Sequence, residues 1–257
     1  MIIKKSPEEV ASIAAAGDVV ARCLTMLRSK CRPGVTTREL DASAEKFIRS
    51  QGGEPAFKGY RGFPSSICAS PNSMVVHGIP SDYALVRGDI LSLDVGVELD
   101  GWVADAAITV SVKPVSPVAT KLLRATREAL EAGVEQCRAG SNLGDVSAAV
   151  QSRVEQDGFS VIRSLVGHGI GRDMHEDPQI PNFGEPGKGP LLEEGMVLCI
   201  EPMVCAGRQT VRMGDDNWAI YSEDGSLAAH FEHTVAVTAE GPRILTPWHV
   251  TTQKAAA

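Results

Sequence analysis

Apolar residues recur at helical spacing from Pro7 to Leu27, and the run predicts a helix. Ser6 is positioned as its N-cap with Glu9 three residues on, and Pro7 suits the first turn. Arg32-Pro33-Gly34 breaks the run. A second helix starts at Thr36 or Thr37, continues to about Ser50 and ends at Gly52-Gly53. From Ser66 to Val112 the pattern changes to short β-branched runs separated by Gly, Pro and Asn, the signature of strands. Helical spacing returns from Ala119 to Cys137 and from Gly144 to Gln156, closed by Gly158. The last third, from Val161 to about Leu245, reads as strands again.

The order is therefore helix, helix, strands, stated twice. Cys31-Arg32-Pro33-Gly34 recurs as Cys137-Arg138-Ala139-Gly140. The segment from Gly88 through Asp94 resembles that from Gly195 through Glu201: a glycine, an apolar strand, then a carboxylate. His77-Gly78-Ile79 and His168-Gly169-Ile170 add an echo at a different offset. Two matches at nearly one offset predict duplicated halves of an α+β fold, with helices packed on a shared antiparallel sheet. No linker composition separates the halves, so residues 1–250 are expected to form a single domain and residues 251–257 a frayed tail.

Composition narrows the function. Of 257 residues, 43% are hydrophobic and 22% charged, which excludes a disordered or fibrous chain. A net charge of -7 disfavours nucleic acid or an anionic membrane as partner. Six cysteines without a CxxC pair suit a reduced, cytoplasmic protein. The N-terminus lacks the long apolar stretch of a signal peptide, and no 18-residue window is uninterruptedly apolar.

The carboxylates carry the chemistry. Asp100-Gly101 predicts a tight hairpin in which residue 94 faces 107 and residue 96 faces 105. Asp94 and Asp105 then lie on one face as diagonal neighbours, within reach of a shared ligand. A lone strand Asp is more often a hydrogen-bonded turn or edge residue, but the hairpin parity and the repeat equivalent Glu201 reverse that reading. Two such carboxylates on a semi-buried face repel unless protonated or bound to a cation. Glu232 opens a later strand, and His168 sits between two glycines. Four carboxylates and one imidazole suit Mn, Fe or Co, or a tolerant Zn site, and match two divalent ions of the kind that activate water in hydrolases. His77 and His175 are candidates for the site or for structural roles. His230, His233 and His249 are weaker candidates, and His233 should face away from Glu232. The Gly167–Gly171 stretch lacks the Lys-Ser/Thr of a phosphate loop.

These residues resemble the type I methionine aminopeptidases. The matching signatures are Val76-His77-Gly78-Ile79-Pro80, the Asp94 and Asp105 pair, Gly167-His168-Gly169-Ile170-Gly171, His175-Glu176, Ile200-Glu201-Pro202-Met203 and Phe231-Glu232-His233-Thr234, within a similarity from about Pro7 to Pro247. The resemblance implies the pita-bread fold, with pseudo-two-fold symmetry, and removal of initiator methionine ahead of a small second residue. It implies two divalent metal ions (Co, Mn, Fe, Zn or Ni) held by Asp94, Asp105, His168, Glu201 and Glu232. Asp105 and Glu232 would bridge them, and Glu201 would also take a proton from the attacking water. His77 would contact the scissile amide, and His175 would hydrogen-bond the oxyanion. Tyr60, Phe63, Cys68, Met174 and Trp218 fall where the family holds the methionine side chain. Met174 stands where Phe is usual and puts the shape of that wall in question. The implied partners are peptide or nascent-chain N-termini and, beyond them, the ribosome, for a monomeric protein. The alternatives are a silent binding protein on the same fold, which would lose metal ligands, and a broader or prolidase-like aminopeptidase.

Overall fold

The computed structural model describes residues 1–248; the expected tail and His249 lie outside the described residues. Helix α1 (Pro7–Lys30) begins as its sequence dictates: Ser6 Oγ accepts from the Glu9 amide, and the Glu9 carboxylate accepts from the Ser6 amide. Helix α2 (Thr37–Ser50) has the same reciprocal cap between Thr36 and Glu39. Helix α3 (Pro117–Glu135) starts two residues before its expected position, because Ser116 caps it and Pro117 takes the first turn. In α4 (Leu143–Gln156) the Asp145 carboxylate accepts from the Asn142 amide.

The first half continues with β1 (Glu54–Pro55), β2 (Ile67–Pro71), β3 (Met74–Val76), β4 (Ile90–Leu99) and β5 (Trp102–Ser111). The second continues with β6 (Ser160–Val161), β7 (Val166–Gly169), β8 (Glu176–Pro181), β9 (Val197–Ile200) and β10 (Met203–Cys205). It ends with β11 (Val211–Met213), β12 (Ile220–Ser222), β13 (Ala228–His230), β14 (His233–Thr238) and β15 (Gly241–Ile244). Every pairing between these strands is antiparallel. In one sheet β4 carries β5 on one edge and β1 and β2 on the other. A second sheet runs β15-β14-β9-β7-β8. Two three-stranded sheets, β13-β10-β6 and β11-β12-β3, flank them, and the latter draws β3 from the first half onto the second.

The duplication is visible in the backbone. Gly34 and Gly140 both take φ near +90°, and Gly52 with Gly158 and Gly88 with Gly195 are matched in the same way. A β-carbon disfavours that left-handed region, so both copies need glycine there. Where the halves meet, two threonines replace a continuous ladder. Thr234 Oγ1 donates to the Asp105 carbonyl at 2.7 Å and accepts from its amide at 3.2 Å. Thr109 Oγ1 does the same to His230, at 2.8 and 2.9 Å. Each hydroxyl satisfies both backbone groups of a residue opposite it in the other half. The His-Gly-Ile echo, by contrast, is not part of the repeat. His77 follows β3, whereas His168 lies in β7 opposite Cys199.

The helices cover one face of these sheets and build the core there. Helix α1 has the length and a mean hydropathy of 1.6 that would suit a membrane span. Its apolar residues are instead committed to the core: Ile13, Val20, Cys23, Leu24 and Leu27 are fully buried.

Candidate active site

The hairpin register is the one its turn predicts. Asp100 and Gly101 both have positive φ, and Asp94 pairs with Ala107 while Gly96 pairs with Asp105. Asp94 and Asp105 therefore point together, away from the helices. Glu201 follows the last residue of β9, and Glu232 precedes the first residue of β14, with Ile200 and His233 paired between them. His168 enters from β7. Its Nε2 lies 3.6 Å from Asp105 Oδ2 and 3.7 Å from Glu201 Oε1. Its Nδ1 sits 2.9 Å from the Gly169 carbonyl, which can only accept, so Nδ1 carries the proton and Nε2 presents its lone pair, free to meet a cation among the carboxylates.

The cluster lines a cavity of about 220 Å³. All twelve residues expected from sequence line it: His77, Asp94, Asp105, His168, His175, Glu201 and Glu232, with Tyr60, Phe63, Cys68, Met174 and Trp218. Phe63 and Trp218 meet edge to face at 5.1 Å, and Met174, 5% exposed, forms wall beside Phe57. Gly96 is what admits both. A β-carbon there would stand 2.6 Å from the Phe57 ring and 2.9 Å from Met174 Cε. His77 has φ 60°, a left-handed conformation costly for a non-glycine residue. The backbone holds it there: Gly78 bonds Ser70 Oγ and the Ala69 amide, too close to the Ala69 carbonyl for a side chain. His175 stacks on Tyr60, whose hydroxyl lies 2.9 Å from His175 Nδ1. Donation by that hydroxyl leaves Nε2–H as the hydrogen-bond donor.

Burial sets the charges. Desolvation, reinforced by Asp105 and Glu201, holds the Asp94 carboxyl well above the usual range. Burial does the same to Glu232, with Asp105 adding to it, and raises Glu201 to about 8. Burial lowers His77 to about 4 and His175 to about 3, so both rings are neutral at pH 7.

Phe57 in the cavity wall was not expected from sequence, and beside the carboxylates His230 was undervalued and Cys199 missed. His230, read as a weak candidate, lines the cavity with Nε2 3.3 Å from Glu201 Oε2 and no hydrogen-bond partner. The signal was present: His230 and Glu232 are two apart in an extended run and so share a face. Cys199 shares a face with Glu201 for the same reason, and its thiol donates to Asp105 Oδ1 over 2.7 Å. His233 does face away from Glu232, bonding Thr246 and stacking on Trp248.

The donor set fits divalent cations. Ligand atoms of Asp105, His168, Cys199 and Glu232 all lie within 4.8 Å of one another. Asp94 Oδ1 is buried without a hydrogen-bond partner. Buried carboxylates that repel, one of them with an oxygen that has no donor, are arranged for a cation rather than for each other. Fold and site together define a metal-dependent hydrolase.

Comparison with known proteins gives the family. The profile of metallopeptidase family M24 matches residues 11–239. A methionine aminopeptidase of Clostridium perfringens is 50% identical over 246 residues, covering 96% of this chain and 99% of its own. The crystal structure of the Thermotoga maritima methionine aminopeptidase superposes with TM-score 0.94 at 44% identity, over 96% of this chain and 99% of that one. Pyrococcus furiosus prolidase shares the fold, with TM-score 0.78 at 24% identity over 95% of this chain and 65% of its own. The chain belongs to metallopeptidase family M24, within it to the type I methionine aminopeptidases, and its fold is the pita-bread fold.

Proposed function

We propose that this cavity hydrolyses the first peptide bond of chains that begin with methionine and a small second residue. Asp94, Asp105, His168, Glu201 and Glu232 would hold two divalent ions, with Mn, Fe, Co, Zn and Ni the candidates. The observation that carries this reading is their convergence, with an unpartnered Asp94 oxygen among carboxylates pushed up by burial. Bound divalent cations supply Lewis-acid activation of water and of the scissile carbonyl.

The chain's own groups do the rest. The wall of Phe63, Met174 and Trp218 takes the methionine side chain. Glu201, ionised beside bound cations, receives a proton at its carboxylate and can return it to the leaving amine. His175 offers Nε2–H to the developing oxyanion, and His77 stands at the scissile amide. The substrates are then peptide or nascent-chain N-termini, met at the ribosome in the cytoplasm.

Met-Ala-Ser peptides test this with Mn or Co, before and after chelation. Methionine release should stop on chelation and return with metal. Glu201→Gln should lower turnover by at least about a thousandfold, since it removes a proton acceptor and a cation-binding charge. Turnover that survives complete metal removal would sink the reading. Release of bulky or proline-linked residues at the methionine rate would favour a broader aminopeptidase.

A further inference from the structure

The short segment ahead of α1 reaches into the site's support. Lys5 is only 6% exposed, unusual for a lysine. Its Nζ lies 2.5 Å from Glu176 Oε2 and donates to the Ile3 carbonyl at 3.1 Å. The other Glu176 oxygen, Oε1, accepts from the backbone amides of Arg172 and Asp173, at 2.9 and 3.3 Å. Those amides belong to the turn from β7 to β8 that carries Met174 and His175. Gly171 provides the space. A β-carbon there would stand 2.6 Å from Lys5 Cε and 2.7 Å from Glu176 Oε1.

The turn is also held from its far side. The Val103 amide bonds the Gly171 carbonyl, and Arg172 lies 3.7 Å over Trp102 and donates to the Gly101 carbonyl. Within the turn the backbone makes a single bond, Gly171 amide to Asp173 carbonyl. Its geometry therefore depends on the Glu176 carboxylate, which is buried and, among the described residues, has Lys5 as its one ion-pair partner. Lys5 is itself fixed, since its amide bonds the Gly195 carbonyl at 2.7 Å. Removing one partner of such a buried pair leaves the other charge uncompensated and drives it toward solvent. The turn would follow Glu176.

We propose that Lys5 is a positioning residue. Through Glu176 it fixes the turn at 171–175 and so sets the reach of His175 and the wall formed by Met174. The inference rests on the reading of His175 as a group that touches substrate.

The test uses the full-length, metal-loaded protein. Lys5→Met should lower kcat by about tenfold to a hundredfold, the range expected when catalytic groups are misplaced by an ångström. Metal per chain should stay at the wild-type value. Amide hydrogen exchange at 171–176 should accelerate by at least about tenfold as the turn opens. Lys5→Arg, which keeps the charge, should restore most of the kcat, and Lys4→Met should match wild type because Lys4 pairs with Glu193 on the surface. If Lys5→Met does not fold, Lys5→Gln and Glu176→Gln carry the same reading. A folded Lys5→Met with wild-type kcat and exchange overturns the proposal, as does a kcat loss that tracks metal loss. His175→Ala separates the two readings. If it keeps wild-type kcat, the role given to His175 fails, while the exchange data still judge the role of Lys5 in fixing the turn.

Discussion

Cys199 is buried beside the carboxylates. It donates to Asp105 Oδ1 and so leaves the second oxygen, Oδ2, facing His168. A hydrogen bond that aims a ligating carboxylate is commonly worth tenfold to a hundredfold in metal affinity. Cys199→Ala should therefore weaken metal binding by about tenfold in a calorimetric titration, whereas Cys199→Ser, which keeps a donor, should stay within about threefold of wild type. From sequence, Cys199 reads as one more apolar residue in the run from Met196 to Ile200. Only its parity with Glu201 hints otherwise. Asp94 and Asp105 were legible because a two-residue turn fixes register, and register fixes which side chains share a face.

At the scale of elements, Gly17 reverses an ordinary rule. Replacing a mid-helix glycine with alanine usually stabilises by about 0.5–1 kcal/mol. In α1 the added methyl would collide with the Leu245 carbonyl, where the chain after β15 crosses the helix. Gly17→Ala should instead destabilise by about 1–3 kcal/mol, read from the denaturant midpoint of the chelated protein. The helices themselves follow local signals. Ser6-Pro7 and Ser116-Pro117 are the same start signal, and the second was as readable as the first. The crossing of α1 at Gly17 by the chain at Leu245 has no local signal.

The whole molecule couples its charge to its stability. Without metal, Glu201 has a folded value near 8 against an ordinary 4.5. Its contribution is fully present below about 4.5 and is lost as pH rises through about 8. The neutral histidines act oppositely: His77 and His175 contribute above 6.5, and that is lost as pH falls toward about 4 and 3. Cations favour the ionised carboxylates, so binding releases protons and tightens with pH. Chelation should therefore lower Tm more at about pH 8.5 than at about pH 6.5, measured by calorimetry in matched ionic strength. An equal or smaller drop at the higher pH would mean that the carboxylates are already ionised in the metal-free fold.

The sequence by itself determined the helices, the hairpin register, the repeat and the identity of the carboxylates, because each is governed by spacing over a few residues or by near-repetition. The tertiary structure decided what no spacing encodes. It brought His230 and Cys199 to the carboxylates, set paired threonines where the halves meet, and carried Lys5 across to Glu176. Those arrangements depend on how two halves, each able to bury only its own helix face, close against each other. Sequence separation is then no guide to distance, and the closing of the halves places a lysine at position 5 beside a turn at position 172.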